Sequence, residues 1–427
     1  MFKKSNTGLK ESPLGYWEEK SYMLAIPENE EENPLIGLFD RVENIAGVEI
    51  LEKREFEDGT DGYMRLSYKG EEFEVGFFPK GFYFEDYYIL PTYFFKQEDV
   101  EKLRNAKIAL TIYMKLSGDA KKAFHFQLKL IDAIMPNLLA VLDESAEKLF
   151  PADWVKMSIG TAIYPSANDL YTVQAVSGKN GEVWLHTHGL CRFGLTELEI
   201  LESDVENYNH HYNLIATLAS YLLDKKNEVH FPEKGVYIGL LNNGQPVVAT
   251  CLSWTEGLKE YKKLKLGNVD DRKNGHNSRT SIIFIYQSEE EEEKQILSKV
   301  SVYNDLWGEN PLFFLSNEET DRMKSLAIER FSYVEKALQN KESDIIVKIG
   351  LQTDENDEDH LEHIWFKLLD SKEGKLKCKL LQEPYHVENM HEGDEGWYRI
   401  GEVTDWIIYE ESFQINPGNV YILEDKK

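Results

Sequence analysis

Two histidines, His186 and His188, stand two residues apart in the stretch 183–200, VWLHTHGLCRFGLTELEI, with Glu197 and Glu199 following. The apolar pattern around them predicts a strand, in which Trp184, His186 and His188 share one face and Val183, Leu185 and Thr187 the other. Two imidazoles at i and i+2 can chelate one divalent metal. Glu197 and Glu199, on one face of the next strand, can supply an oxygen ligand. No third His or Cys stands at a fixed spacing, so the same residues also describe the polar face of a half-buried strand. His186, His188 and Glu197 are the candidate metal set; the leading expectation is that the chain uses no metal or other cofactor.

Other chemically capable residues fit known sites less well. His210 and His211 are adjacent, so on a helix their side chains diverge by about 100° and read as a solvated face. His360 and His363 lie in HLEH, which lacks the i, i+4 spacing and the glutamate of HExxH, and in a strand they point to opposite faces. The loop DDRKNGHNSRTS (270–281) places Gly275 where a calcium loop needs it, but Arg272 and Ser281 occupy ligand positions, which predicts a mobile connection instead. GxSxG, GxGxxG, P-loop and CxxC signatures do not occur in the sequence. Trp365, Trp397, Trp406 and Tyr409 are candidates for a ligand or partner platform, the competing reading being the core of a small barrel.

The elements that would position these residues are mixed. Residues 1–96 read as β-rich: RLSYKGEEFEVGFFP suggests a hairpin turning at Gly70, and GFYFEDYYILPTYFF is strand-prone. Residues 97–258 read as a central α+β domain. It begins with the strand KIALTIYMKL and a helix from 119 or 120 to 148 that Pro136 kinks or splits. The strands VKMSIGTAIYP, VWLHTHGLCRFG and LELEILE follow, then a helix over 205–223 with a capping box at Ser203 and Glu206. A hairpin turning at Asn243-Gly244 closes the domain. Residues 259–342 read as linker and helices, one capped by Ser288 ahead of the glutamate run 289–293, another over 318–340 capped by Ser316 and Glu319. Residues 343–427 show five short strands with glycines at the turns, a small antiparallel barrel or roll. The fold class is therefore α+β, with helices packed on mostly antiparallel sheet.

Composition narrows the function. The 427 residues exceed what one hydrophobic core usually organises. A net charge of −28 repels phosphate backbones and anionic headgroups, so nucleic acid and membrane are not expected partners, while a basic protein is. Even the C-terminal stretch, of a size that often binds nucleic acid, holds about twice as many acidic as basic residues. The N-terminus has two lysines with no apolar run behind them, which predicts neither signal peptide nor anchor. Three scattered cysteines, Cys191, Cys251 and Cys378, read as buried reduced thiols, as expected of a cytoplasmic protein.

Particular C-terminal residues carry a family resemblance: EHIWFKLL (362–369), LQEP (381–384) and EGDEGWYRIGEVTDWIIYE (392–410). These resemble the bacterial family called domain of unknown function 2314, over roughly 345–425, with Gln382 where the family usually has Asn. The preceding part, with THGLCRFGLTELEI, looks like domain of unknown function 4026 and more distantly like family 4261. The resemblance implies no activity, cofactor or catalytic residue. Some relatives sit near toxin and immunity systems, which implies protein binding by analogy of context. Together these readings describe a non-catalytic, immunity-like protein- or ligand-binding protein, the alternative being a metal-binding domain or metal-dependent hydrolase centred on His186 and His188.

Overall fold

The computed structural model describes residues 20–29, 35–55, 62–275, 277–308, 311–339, 344–353, 361–410 and 413–426. They form three mostly antiparallel sheets with helices, an α+β fold. They divide into two compact units: Met1–Leu90 with Phe95–Phe150 and Pro165–Leu315, and Pro91–Phe94 with Pro151–Tyr164 and Ser316–Lys427. His360 lies outside the described residues. No described helix is long and apolar enough to cross a membrane.

The first sheet holds β1 (Lys20–Pro27), β2 (Val48–Glu55), β3 (Gly62–Tyr68), β4 (Glu71–Gly81), β5 (Ile108–Lys115), β6 (Leu138–Asp143) and β7 (Lys148–Pro151), in the order β2-β3-β4-β5-β1-β6-β7. The β3–β4 hairpin turns at Lys69 and Gly70, both at positive φ of 51° and 86°, the mirror-image turn that suits a two-residue connection. This sheet runs through residue 97 without a break, because β5 lies between β4 and β1. The aromatic stretch expected as strand after Gly81 instead forms only a short 3₁₀ turn, Asp86–Tyr88.

Helices α1 (Leu38–Glu43), α2 (Gln97–Asn105) and α3 (Ala120–Ile134) belong to the same unit. Asp119 caps α3 by accepting from the Lys122 amide at 3.1 Å. Pro136 neither kinks the helix nor joins two helices. The helix ends at Ile134, and the run LLAVLD becomes β6, in which every position is buried. VKMSIGTAIYP is likewise not a strand: α4 (Ala152–Ile159) starts directly after Pro151, with Asp153 in its first turn.

The second sheet comprises β8 (Thr172–Ser177), β9 (Glu182–His188), β10 (Glu197–Asp204), β11 (Val236–Leu240), β12 (Pro246–Ser253) and β13 (Thr280–Tyr286), with short β14 (Ser298–Lys299) and β15 (Leu312–Phe313). Its order is β15-β11-β12-β13-β10-β9-β8, with β14 on β13, and β10 with β13 is a parallel pair. The β11–β12 hairpin turns where expected, with Gly244 at φ 79°. α5 (Tyr208–Lys225) packs on β9 and β10. It starts later than the capping-box reading, because Asp204 receives the Glu206 and Asn207 amides at 2.9 and 2.8 Å. α6 (Trp254–Gly257) is one turn. α7 (Glu289–Glu293) is capped by Ser288 as its sequence suggests.

In the second unit α8 (Asn317–Glu329), capped by Ser316, and α9 (Phe331–Leu338) replace the single helix expected there, the chain breaking at Arg330. The C-terminal sheet contains β16 (Asp344–Gln352), β17 (Leu361–Lys372), β18 (Lys375–Leu380), β19 (Glu395–Arg399), β20 (Val403–Tyr409) and β21 (Gln414–Ile415). It takes an open, roll-like form, running β19-β18-β17-β16-β20-β21 without closing. α8 and α9 cover the face that buries Val347, Phe366 and Trp406.

Candidate functional site

Strand β9 presents Trp184, His186 and His188 in succession on one face: the first two rings lie 4.4 Å apart and the last two 4.9 Å apart. His186 is buried and pairs across the ladder with Glu199 of β10. That carboxylate is already occupied. Arg272 Nη2 reaches its two oxygens at 2.8 and 2.9 Å, Trp184 Nε1 donates at 3.0 Å and Thr280 Oγ1 at 2.8 Å. Burial pushes the Glu199 carboxyl up while Arg272 and the hydrogen bonds hold it down. We therefore assign it to an ion pair that joins β10 and β13 to the turn carrying Arg272.

Glu197 has a different task. Its oxygens accept from Thr187 Oγ1 at 2.7 Å, the Gly189 amide at 2.9 Å and the Cys191 amide at 3.0 Å. It thus closes the loop between β9 and β10, where Gly189 takes φ 113° and a Cβ would stand 2.8 Å from the Leu170 carbonyl oxygen. His186, His188 and Glu197 are neighbours in the fold, but among the described residues no group of three or more His, Cys, Asp and Glu side chains is arranged to hold a metal.

The loop expected to be mobile proves to be anchored. Arg272 sits in a 3₁₀ segment, Val269–Gly275, buried over Trp254 and bonded to the carbonyls of Gly267 and Asn277. No local spacing signals this role, since its carboxylate partner is 73 residues away. His211, read as solvated, is also buried: its Nδ1 lies 2.7 Å from Ser203 Oγ and its Nε2 3.1 Å from Asn304 Oδ1. Asn304 Nδ2 in turn donates to Asp204 at 3.2 Å. Ser203 and Asp204 line a cavity of about 350 Å³ with Glu182, Glu202, Lys263 and Lys265. The serine-histidine-asparagine order resembles a nucleophile relay, but desolvation lowers the His211 pKa to about 4. A base that weak at neutral pH suits an anchor for the start of α5 better than proton abstraction.

The four C-terminal aromatics separate. Trp406 is fully buried and donates from Nε1 to the Ala327 carbonyl at 2.9 Å, so it belongs to the core. Trp365 and Tyr409 are half-buried and Trp397 is 49% exposed. These three alternate with core positions and so share the face opposite the helices. Lys348 lies over the Trp365 ring at 5.6 Å, and Lys377 stands across the ladder from Trp397. The structure thus presents an open sheet face with one prominent indole among lysines. The alternation Lys375-Leu376-Lys377-Cys378-Lys379-Leu380 already signals it in the sequence.

Residues 21–165 match the N-terminal part and 173–284 the C-terminal part of the family described as protein of unknown function (DUF4026). Residues 321–418 match an uncharacterized protein family conserved in bacteria (DUF2314). The chain belongs to the DUF4026 family and carries a DUF2314 region after it. No curated protein and no solved structure shows a significant match to it.

Proposed function

We propose that this chain is a binding protein whose protein partner docks on the outer face of the C-terminal sheet. The observation that carries the reading is Trp397, half exposed on a strand beside the lysine row of β18. Exposed tryptophans on open faces are the residues from which interfaces draw most of their affinity, and a rim of charges sets orientation and encounter rate. The net charge of −28 argues for a basic partner on average, but the charge at this face has the opposite sign, and the local face governs docking. A bacterial cytosol suits the three buried free thiols.

The test replaces Trp397 in the full chain by the photo-cross-linker benzoylphenylalanine, expressed in bacterial cells. Tyr237, 48% exposed in the other unit, serves as the control position. A discrete adduct from 397 and none from 237 supports the reading. No adduct at 397, or the same adducts from both positions, overturns it.

A further inference from the structure

We infer that the edge strand β19, with the lysine rows beside it, binds an acidic extended segment of a partner protein as an added strand. The inference rests on the docking face proposed above and names its occupant.

The first observation is the edge. Among the described residues β19 ends the sheet path and pairs within it with β18 alone, and none of its five residues is buried. In an antiparallel pair alternate residues turn their N–H and C=O groups away from the partner, so β19 keeps a row of them facing outward, of which the Arg399 amide is taken by Glu402 Oε2 at 2.8 Å. Such an edge takes an extended peptide through main-chain hydrogen bonds, with specificity from alternate side chains.

The second observation is charge. Nine lysines and arginines follow residue 343. Six of them, Lys348, Lys367, Lys375, Lys377, Lys379 and Arg399, occupy positions that alternate with the buried ones and so share the outer face. The carboxylates there are Asp344, Asp370, Glu395 and Asp405: Asp344 pairs with Lys367 at 2.9 Å, Glu395 pairs with Lys377 at 2.8 Å, and Asp370 stands across the ladder from Lys377. A chain of net charge −28 has thus gathered an excess of cations on one sheet face.

A strand added to β19 lies roughly 5 Å from it and projects every second side chain onto this same face. Carboxylates at those positions meet the Lys and Arg rows, and an apolar side chain among them meets Trp397. A bilayer or nucleic acid fits less well. The interleaved carboxylates and the acidic β18–β19 connection, with Glu383, Glu388, Glu392 and Asp394, oppose a broad anionic surface within the screening length of roughly 8–10 Å. A narrow strip of peptide avoids them.

The test uses the full-length chain and a fluorescein-labelled decapeptide of alternating glutamate and valine, read by fluorescence anisotropy. Binding is expected to weaken by about tenfold or more in the surface variant Lys379→Glu. It is also expected to disappear when alternate peptide amides are N-methylated in one of the two possible registers, and to be absent for a lysine-valine peptide. Equal binding of both N-methylated peptides shows charge attraction without strand addition and overturns the inference. So does tighter, Lys379-dependent binding of phosphatidylserine vesicles or of single-stranded DNA, or a dimer of the chain that excludes the peptide. Failure to bind the peptide while the adduct at 397 persists removes the acidic-strand inference alone; loss of both removes the docking face.

Discussion

Arg192 and Asp143 meet side by side in the interior: Nη1 and Nη2 lie 2.8 and 2.7 Å from the two carboxylate oxygens, and both side chains are essentially inaccessible to water. Arg192 comes from the loop after β9 and Asp143 from the end of β6, so the pair ties an element of the second sheet to the first. Ser21 Oγ at 2.9 Å and the Leu170 carbonyl at 2.6 Å take further guanidinium hydrogens. Removing one partner leaves an uncompensated buried charge, which costs about 3–5 kcal/mol. Asp143→Asn and Arg192→Met are each expected to lose stability on that scale in chemical denaturation. The double variant is expected to lose clearly less than the sum of the two.

His211 sets an acid limit. Desolvation lowers its folded pKa to about 4, while the unfolded chain takes the proton near the ordinary value of 6.5. Between those pH values the unfolded state binds more protons, so the contribution to stability is full above about 6.5 and is lost as pH falls toward 4. Relative to His211→Gln, the wild-type chain is expected to lose roughly 2–3 kcal/mol more between pH 7 and pH 4. Parallel acid dependences of the two proteins would refute this assignment.

The tryptophans separate core from surface. Trp406→Ala removes a fully buried indole and the bond to Ala327, and should cost about 3–5 kcal/mol. Trp397→Ala should change stability by no more than about 0.5 kcal/mol, because its indole is half exposed. Thermal melts of the two variants give the comparison directly.

All three thiols are sealed. Burial raises the pKa of Cys251 and, with help from Glu197, of Cys191, and pushes Cys378 up to about 12. Thiol titration with Ellman's reagent at pH 8 should label none of them in the folded protein within minutes and all three after unfolding in guanidinium.

Strand pattern was the most legible part of the sequence, and long-range pairing the least. The five C-terminal strands stand out because lysine or other polar residues alternate with Leu376, Cys378 and Leu380 and their counterparts. The Ser288 and Ser316 caps depend on bonds three residues away, and so are local too. LLAVLD misleads because its five apolar residues in succession carry no period, and the preceding helix stripe extends into them smoothly. Arg272 and Arg192 are beyond local reading: their carboxylates lie 73 and 49 residues away. His211 looks solvated beside His210 because nothing in its neighbourhood reveals that Ser203 and Asn304 converge on it.

The two buried ion pairs, Glu199 with Arg272 and Asp143 with Arg192, have a consequence for how this family can change over time. Glu199 is tolerable only while Arg272 faces it, and Arg272 only while Glu199 does, with Asp143 and Arg192 bound by the same condition. Either member altered alone strands a charge in the interior; both altered together to apolar residues cost far less. Drift at these sites should therefore proceed by paired replacement, and aligned relatives should show positions 199 and 272, and 143 and 192, changing in step.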